Sequence, residues 1–261
     1  MNKINLPIYQ KILLAAYRTT ARTGLFRTRG GLAFFHFFYD GYKLILEARS
    51  IDQLKGFAVP GTTIIDVGAN TGFFAKRFSK WAGPTGQVIA IEPEEINFNR
   101  LKHNLTRRGV LPNVDLINAA VSEVDGLVGL VINPDHPGDH RLGEAGQQIK
   151  AISLDALMVS DLKYTVSLIK VDVQGAEFKV ICGALKLLQI FKPVLFLEID
   201  EQALQEMDAS SEDVFQLLID RDYGIHYIQG QKIVGPLSLE GAIERAKSLS
   251  YSDFLFIPSA G

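Results

Sequence analysis

The sequence predicts an α/β protein with a doubly wound, mostly parallel sheet carrying helices on both faces. Two observations predict it. From residue 62 onward, short runs rich in Val, Ile and Leu alternate with stretches of helical apolar spacing. The runs are apolar on consecutive residues, as strands covered on both faces are. A length of 261 residues suits one large domain, or one domain with an appendage.

Residues 1–30 hold Lys3, Lys11, Arg18, Arg22, Arg27 and Arg29 and no acid, a local +6 in a chain of net charge −2, which leaves −8 for the rest. Residues 7–20 and 32–49 read as helices, the second crowded with Phe34, Phe35, Phe37, Phe38, Tyr39 and Tyr42. Residues 1–55 are therefore expected to form an N-terminal helical cap whose aromatics pack on the sheet domain or wall a substrate. The basic segment also suits peripheral contact with an anionic membrane surface. No apolar run approaches the ~20 residues of a bilayer-spanning helix, and no secretory cleavage pattern follows the first apolar stretch. A single cysteine, Cys182, excludes an intramolecular disulfide framework and fits a reducing, cytoplasmic setting.

The main domain is expected over residues 56–261. Residues 62–67, 87–91, 114–118, 166–171 and 194–199 read as strands, and 72–81, 94–108, 176–191 and 212–222 as helices. Residues 224–228 and 254–257 read as two final strands. Residues 121–152 break the rhythm. An Asp125-Gly126 turn, an apolar run over 127–132, a Gly/Pro/His/Asp loop and a run over 148–152 predict an inserted hairpin or a pair of edge strands around a long loop.

The first strand runs into Asp66-Val67-Gly68-Ala69-Asn70-Thr71-Gly72. Gly68 and Gly72 permit close backbone approach, and the helix that follows offers unpaired N–H groups. The spacing is neither the G-x-G-x-x-G of a dinucleotide site nor a P-loop. Asp66 disfavours a pyrophosphate and favours a cation. A ligand with a positive centre and an amino-acid moiety fits, and S-adenosylmethionine has both, with Asp66 near its ammonium and Asn70 and the turn's N–H groups on its carboxylate. The second strand ends at Glu92-Pro93, where a carboxylate can accept both hydroxyls of a ribose. A first-turn acid of the next helix is the competing role for Glu92.

Ile65 to Gly72, Ile91-Glu92-Pro93, Ser153-Leu154-Asp155, Ile169-Lys170-Val171-Asp172-Val173-Gln174-Gly175-Ala176-Glu177 and Phe196-Leu197-Glu198-Ile199 together resemble the FkbM family of methyltransferases. Gln174 stands where that family usually shows Glu. The resemblance implies a class I methyltransferase, Rossmann-like fold with a seven-stranded sheet. It also implies methyl transfer to a hydroxyl of a sugar or small natural product.

Strand tips hold the remaining candidates. Asp172 could hold the cofactor's ammonium, orient the acceptor, or with Glu198 bind a divalent cation such as magnesium. Lys170, two residues earlier on the same strand face, is expected to pair with a neighbouring acid. Glu177 is either a first-turn helix acid or a functional group. Ala120, in Asn118-Ala119-Ala120-Val121, leaves room for a flat base. His136 and His140 in the inserted loop are candidate general bases beside the acceptor.

Other functions remain open at this level. A nicotinamide-dependent oxidoreductase lacks its third glycine. An interaction or membrane-associated protein on a retained methyltransferase fold would have no reason to keep Asp66, Gly68, Gly72 and Glu92 together. A methyltransferase acting on a macromolecule is a further alternative, but the acidic main domain argues against a nucleic-acid partner.

Overall fold

The computed structural model describes residues 51–106, 111–133, 140–160, 163–249 and 251–259. Most of the predicted cap, with its helices over 7–20 and 32–49, lies outside the described residues. A short 3₁₀ turn, Asp52–Gly56, precedes the sheet, and Ile51 and Leu54 beside it are already part of the core.

The first half of the domain alternates as predicted: β1 (Thr63–Val67), α1 (Phe73–Ala82), β2 (Gln87–Ile91), α2 (Glu95–Thr106) and β3 (Val114–Ile117). Then come four strands of the insertion: β4 (Ala120–Val121), β5 (Gly126–Val131), β6 (Arg141–Leu142) and β7 (Gln147–Ile152). The second half runs α3 (Leu154–Ser160), β8 (Val166–Val171), α4 (Glu177–Cys182), α5 (Leu185–Phe191), β9 (Val194–Ile199), α6 (Glu201–Gln205) and α7 (Ser211–Ile219). It closes with β10 (Tyr223–Gln229), β11 (Lys232–Leu237), α8 (Leu239–Ser248) and β12 (Ser252–Pro258).

The main sheet has the order β11-β10-β12-β9-β8-β1-β2-β3. The five strands from β9 to β3 are parallel, whereas β12, β10 and β11 are each antiparallel to the preceding neighbour. The sheet therefore has eight strands rather than the expected seven. The extra one is β11, which returns from β10 through a tight turn at Gly230 and forms the edge. From β1 the chain winds outward through β2 and β3, and later in the opposite direction through β8 and β9. That reversal opens a crevice beyond the carboxyl ends of β1 and β8.

β1, β2 and most of β8 and β9 are buried, because helices cover both faces. Ile65, Ile89, Ile169 and Leu195 pack in one layer with Val180, Leu187, Phe215 and Phe254. Ile64, Val88, Leu168 and Phe196 pack in the other with Phe74, Phe78, Leu101 and Leu54. The expected helix over 176–191 is divided at Gly183, where a Cβ would stand 2.1 Å from the Ser122 carbonyl oxygen. The helix restarts because Asp155 accepts from the Lys186 and Leu187 amides at 3.1 and 2.9 Å.

The insertion is more than a hairpin. Its strands form a separate sheet of order β4-β7-β5-β6, with β4 parallel to β7 and the other pairs antiparallel. Among the described residues no helix is long and apolar enough to cross a membrane.

Candidate functional site

A cleft opens at the crevice, where open α/β sheets place their ligands. Gly68, Asn70, Glu92, Ala120, His140 and Asp172 line it, so the structure brings together most of the residues expected to bind or react. Asp66, Gly72 and Glu198 are not in its lining, and His136 lies outside the described residues.

The two turn glycines serve the protein itself. Gly68 has φ +73°, and a Cβ there would stand 1.9 Å from the Asp172 carbonyl oxygen, so the turn after β1 presses on the tip of β8. A Cβ at Gly72 would meet Leu101 of α2 at 2.8 Å. The Gly68 and Ala69 amides donate to the Ile91 carbonyl, Asn70 N–H to Glu92 Oε2 and Gly72 N–H to the Ala69 carbonyl. These four donors, expected to hold a ligand carboxylate, are committed to internal bonds.

Asp66 is likewise engaged within the protein. The β1–β8 register sets Asp66 opposite Lys170, and both side chains are buried beneath the turn. Lys170 Nζ stands 3.4 Å from Asp66 Oδ1 and 3.4 Å from Asp172 Oδ2, and donates to the Gly68 carbonyl at 2.9 Å. Burial pushes the Asp66 carboxyl above its ordinary range, with Lys170 opposing. Asp66 thus anchors Lys170, and Lys170 ties the glycine turn to Asp172. The expectation that Lys170 pairs with an acid is met twice.

Glu92 reaches the cleft at the tip of β2, 4% exposed. It accepts from Asn70 N–H at 2.8 Å and Glu94 N–H at 3.1 Å. Burial raises its pKa to about 7 despite those bonds. The competing helix-cap role falls to Glu94, which accepts from the Ile96 and Asn97 amides at 2.9 and 2.7 Å. Asn118 Nδ2 donates to the Glu92 and Pro93 carbonyls and fixes the strand tip. Ala119 and Ala120 form a small-residue wall beside it.

At the other end of the cleft, Gln174 has φ +52°, and its Nε2 donates to Asp172 Oδ1 at 3.3 Å and Glu198 Oε1 at 3.2 Å. An amide therefore occupies the space between the two acids expected to bind a cation. Among the described residues no three His, Cys, Asp or Glu side chains come close enough to hold a metal. Asp172 faces Lys170 and Gln174. Glu177 resolves as a strut. Its carboxylate accepts from the Val173 and Gly175 amides, holding the turn after β8, and burial raises its pKa to about 7.

The second sheet supplies the remaining wall. Leu130 of β5 and Leu142 of β6 line the cleft with His140, which precedes β6. Asn133 N–H bonds His140 Nδ1 at 3.1 Å, and Nε2 stands 4.0 Å from Glu94 Oε2. With Nδ1 accepting, the neutral ring carries its proton on Nε2. That places the Nε2 hydrogen toward Glu94. Asn97, Leu130, Leu142 and Gln174 line the cleft without a role read from the sequence. The motif around Asp172 contained Gln174, but Leu130 and Leu142 carry no signal without the register of the insertion.

A family model described as the methyltransferase FkbM domain matches residues 66–227, more than half of the chain. Methyltransferase 1 of Beauveria bassiana is 26% identical over 145 residues, 46% of this chain and 57% of that protein. The ubiquinone/menaquinone biosynthesis C-methyltransferase UbiE of Ectopseudomonas oleovorans is 34% identical over 59 residues, 23% of this chain and 35% of that protein. The chain thus spans between about a third and just over half the length of these curated relatives. Among solved structures, methyltransferase FkbM from Methylobacillus flagellatus KT aligns with a TM-score of 0.48 at 17% identity, over 76% of this chain and 43% of that one. The matched segment contains the β1 turn, the β2 tip with Glu92, the insertion and the Lys170–Glu177 block, and the chain belongs to the FkbM methyltransferase family.

Proposed function

We propose that the cleft binds S-adenosylmethionine and that the chain transfers its methyl group to a hydroxyl of a sugar or small natural product. The observation that carries this is Glu92: a cleft-facing carboxylate at the tip of the strand next to the glycine turn, beside the small-residue wall of Ala119 and Ala120. That arrangement suits a ribose diol and a flat base. Asp66 and Asp172 each stand 3.4 Å from one buried cation, Lys170, whose charge Glu92 also feels, so the acids outnumber the cation and the site favours a ligand that brings positive charge.

Bound S-adenosylmethionine would supply an electrophilic methyl group on a sulfonium. The chain's task is then alignment and proton removal. Asn70, at the turn and in the cleft lining, is suited to the amino-acid moiety through its side-chain amide. Asp172 would orient the acceptor hydroxyl and take its proton on a carboxylate oxygen, with Lys170 and Gln174 fixing the side chain. Leu130 and Leu142 would exclude water from the far wall.

Methyl-labelled S-adenosylmethionine, incubated with the chain and fractionated hydroxylated metabolites, tests the reading. Label located on an ether oxygen of the product supports O-methylation. Asp172→Asn should fold normally and reduce transfer by about 10²–10⁴-fold, the range for a lost general base. Label on carbon or nitrogen would overturn the acceptor class, and an Asp172→Asn enzyme of full activity would remove Asp172 from the chemistry.

A further inference from the structure

We propose that Glu198 is a positioning residue for methyl transfer, holding Asp172 in place through the side-chain amide of Gln174; this rests on the reading that Asp172 takes the acceptor's proton.

The backbone delivers the contact. β8 and β9 run parallel with Lys170 beside Phe196 and Val171 beside Leu197, so the same register carries Asp172 to Glu198 at the strand tips. The turn that follows brings Gln174 to both. Gln174 has φ +52°, a left-handed conformation that a residue with a Cβ keeps only where its surroundings impose it. The Glu177 carboxylate accepts from the Val173 and Gly175 amides on either side, and a Cβ at Gly175 would stand 2.4 Å from the Ala203 carbonyl oxygen. So turned, Gln174 Nε2 lies 3.3 Å from Asp172 Oδ1 and 3.2 Å from Glu198 Oε1. A primary amide has two N–H bonds, one for each acid.

Two carboxylates on neighbouring strand tips repel each other, and the amide between them offers each a donor. A long Gln side chain is a poor anchor by itself, because ordering its torsions costs entropy. The second N–H, on Glu198, gives it a fixed point. Asp172 is then held at both oxygens: Oδ1 through Gln174 to Glu198 of β9, and Oδ2 by Lys170, which Asp66 of β1 anchors in turn. Asp172 and Gln174 line the cleft whereas Glu198 does not, so the influence of Glu198 on the reaction passes through the amide. Proton removal depends on the aim of the carboxylate, since misplacing a reacting group by about 1 Å can cost about 10²-fold.

Transfer from methyl-labelled S-adenosylmethionine to the hydroxylated metabolite fraction that accepts label, read at saturation in both, compares the full chain with Glu198→Ala, Glu198→Gln, Gln174→Met and the double variant Glu198→Ala/Gln174→Met. Glu198→Ala should lower kcat by about ten- to a hundredfold and leave the calorimetric affinity for S-adenosylhomocysteine unchanged. Glu198→Gln, whose carbonyl still accepts from Gln174, should recover most of that loss. Gln174→Met should match Glu198→Ala, and the double variant should be no slower than either single one. Gln174→Met leaves both acids in place and carries the test if Glu198→Ala folds poorly. Full activity in Glu198→Ala or in Gln174→Met would overturn the assignment, as would additive losses in the double variant. So would Glu198→Gln as slow as Glu198→Ala, the pattern of a carboxylate needed for its charge or for a cation. The Gln174 side-chain amide signals in proton–nitrogen spectra of the isotope-labelled chain, assigned by their loss in Gln174→Met, read the bridge without an acceptor. Glu198→Ala should shift them and speed their exchange with water, and unmoved signals would overturn the bridge. A chain that bound no S-adenosylhomocysteine or transferred no methyl group would overturn the proposed function itself, whereas transfer that requires Asp172 and ignores Glu198 overturns only this inference.

Discussion

Replacing Lys170 with methionine removes one positive charge from beneath the glycine turn while nearly preserving side-chain volume. In the folded protein Lys170 is 2% exposed and Asp66 is fully buried, so neither charge has water to fall back on. Removing the cation leaves Asp66 without the ammonium 3.4 Å from its Oδ1 and the Gly68 carbonyl without its donor at 2.9 Å. Breaking a buried pair from one side costs about 3–5 kcal/mol. Part of that loss is recoverable by protonation, and its sign follows from Asp66. Burial already raises the folded pKa of Asp66 above 3.8, and Lys170 is the largest influence holding it down. A carboxyl with a raised folded pKa contributes stability that is present below its unfolded pKa and lost as pH rises through the folded one. Without Lys170 that folded pKa climbs further, so the deficit of Lys170→Met should be small near pH 4 and grow steadily toward pH 8. Urea denaturation across this range measures it, with Asp66→Asn in the same background as the partner variant. The double variant should recover a large share of the loss at pH 8 and none at pH 4. A loss below about 1 kcal/mol at pH 8 would refute the reasoning. So would a loss independent of pH, or a double variant no better than the single one.

Two further outcomes follow from the same geometry. With a pKa of about 7, Glu92 is mostly neutral at pH 6 and mostly ionised at pH 8, so binding of S-adenosylhomocysteine should strengthen by up to about tenfold over that interval. The stability contribution of Glu92 runs the other way, being lost as pH rises through about 7; Glu92→Gln should flatten both profiles, as read by calorimetry and urea denaturation. Asp155→Ala should cost about 1 kcal/mol through the two α5 amides it caps, measured by urea denaturation, and leave ligand affinity unchanged.

Much of the fold is readable from residue order because strands covered on both faces must be apolar throughout. β1, β2, β8 and β9 therefore appear as unbroken runs, and a carboxylate at the end of β2 stands out against them. β11, with its exposed Lys-Ile-Val-Gly-Pro-Leu, and α8, buried chiefly through Ala242 and Ala246, carry no such contrast and were not predicted. The site divides along similar lines. Glu92 lies in the cleft lining because its position depends on its own strand. Asp66 lies outside that lining because what it meets depends on which residue of β8 lies opposite, and that register is a tertiary fact. His140 joins the cleft lining for the same reason: the pairing of β5, β6 and β7 sets its position, and residue spacing alone does not specify it. Asp155, within the family-like Ser153-Leu154-Asp155 block, turns out to cap a helix.

Calorimetric titration of S-adenosylmethionine into the full chain and into Glu92→Ala is the most direct test of the cleft as a cofactor site. Binding by the unmodified chain should be one-to-one, and Glu92→Ala should weaken it by about 1.5–3 kcal/mol, the range for lost hydrogen bonds to a charged group. Failure of the unmodified chain to bind, unchanged affinity in Glu92→Ala, or preference for a nicotinamide dinucleotide would contradict it.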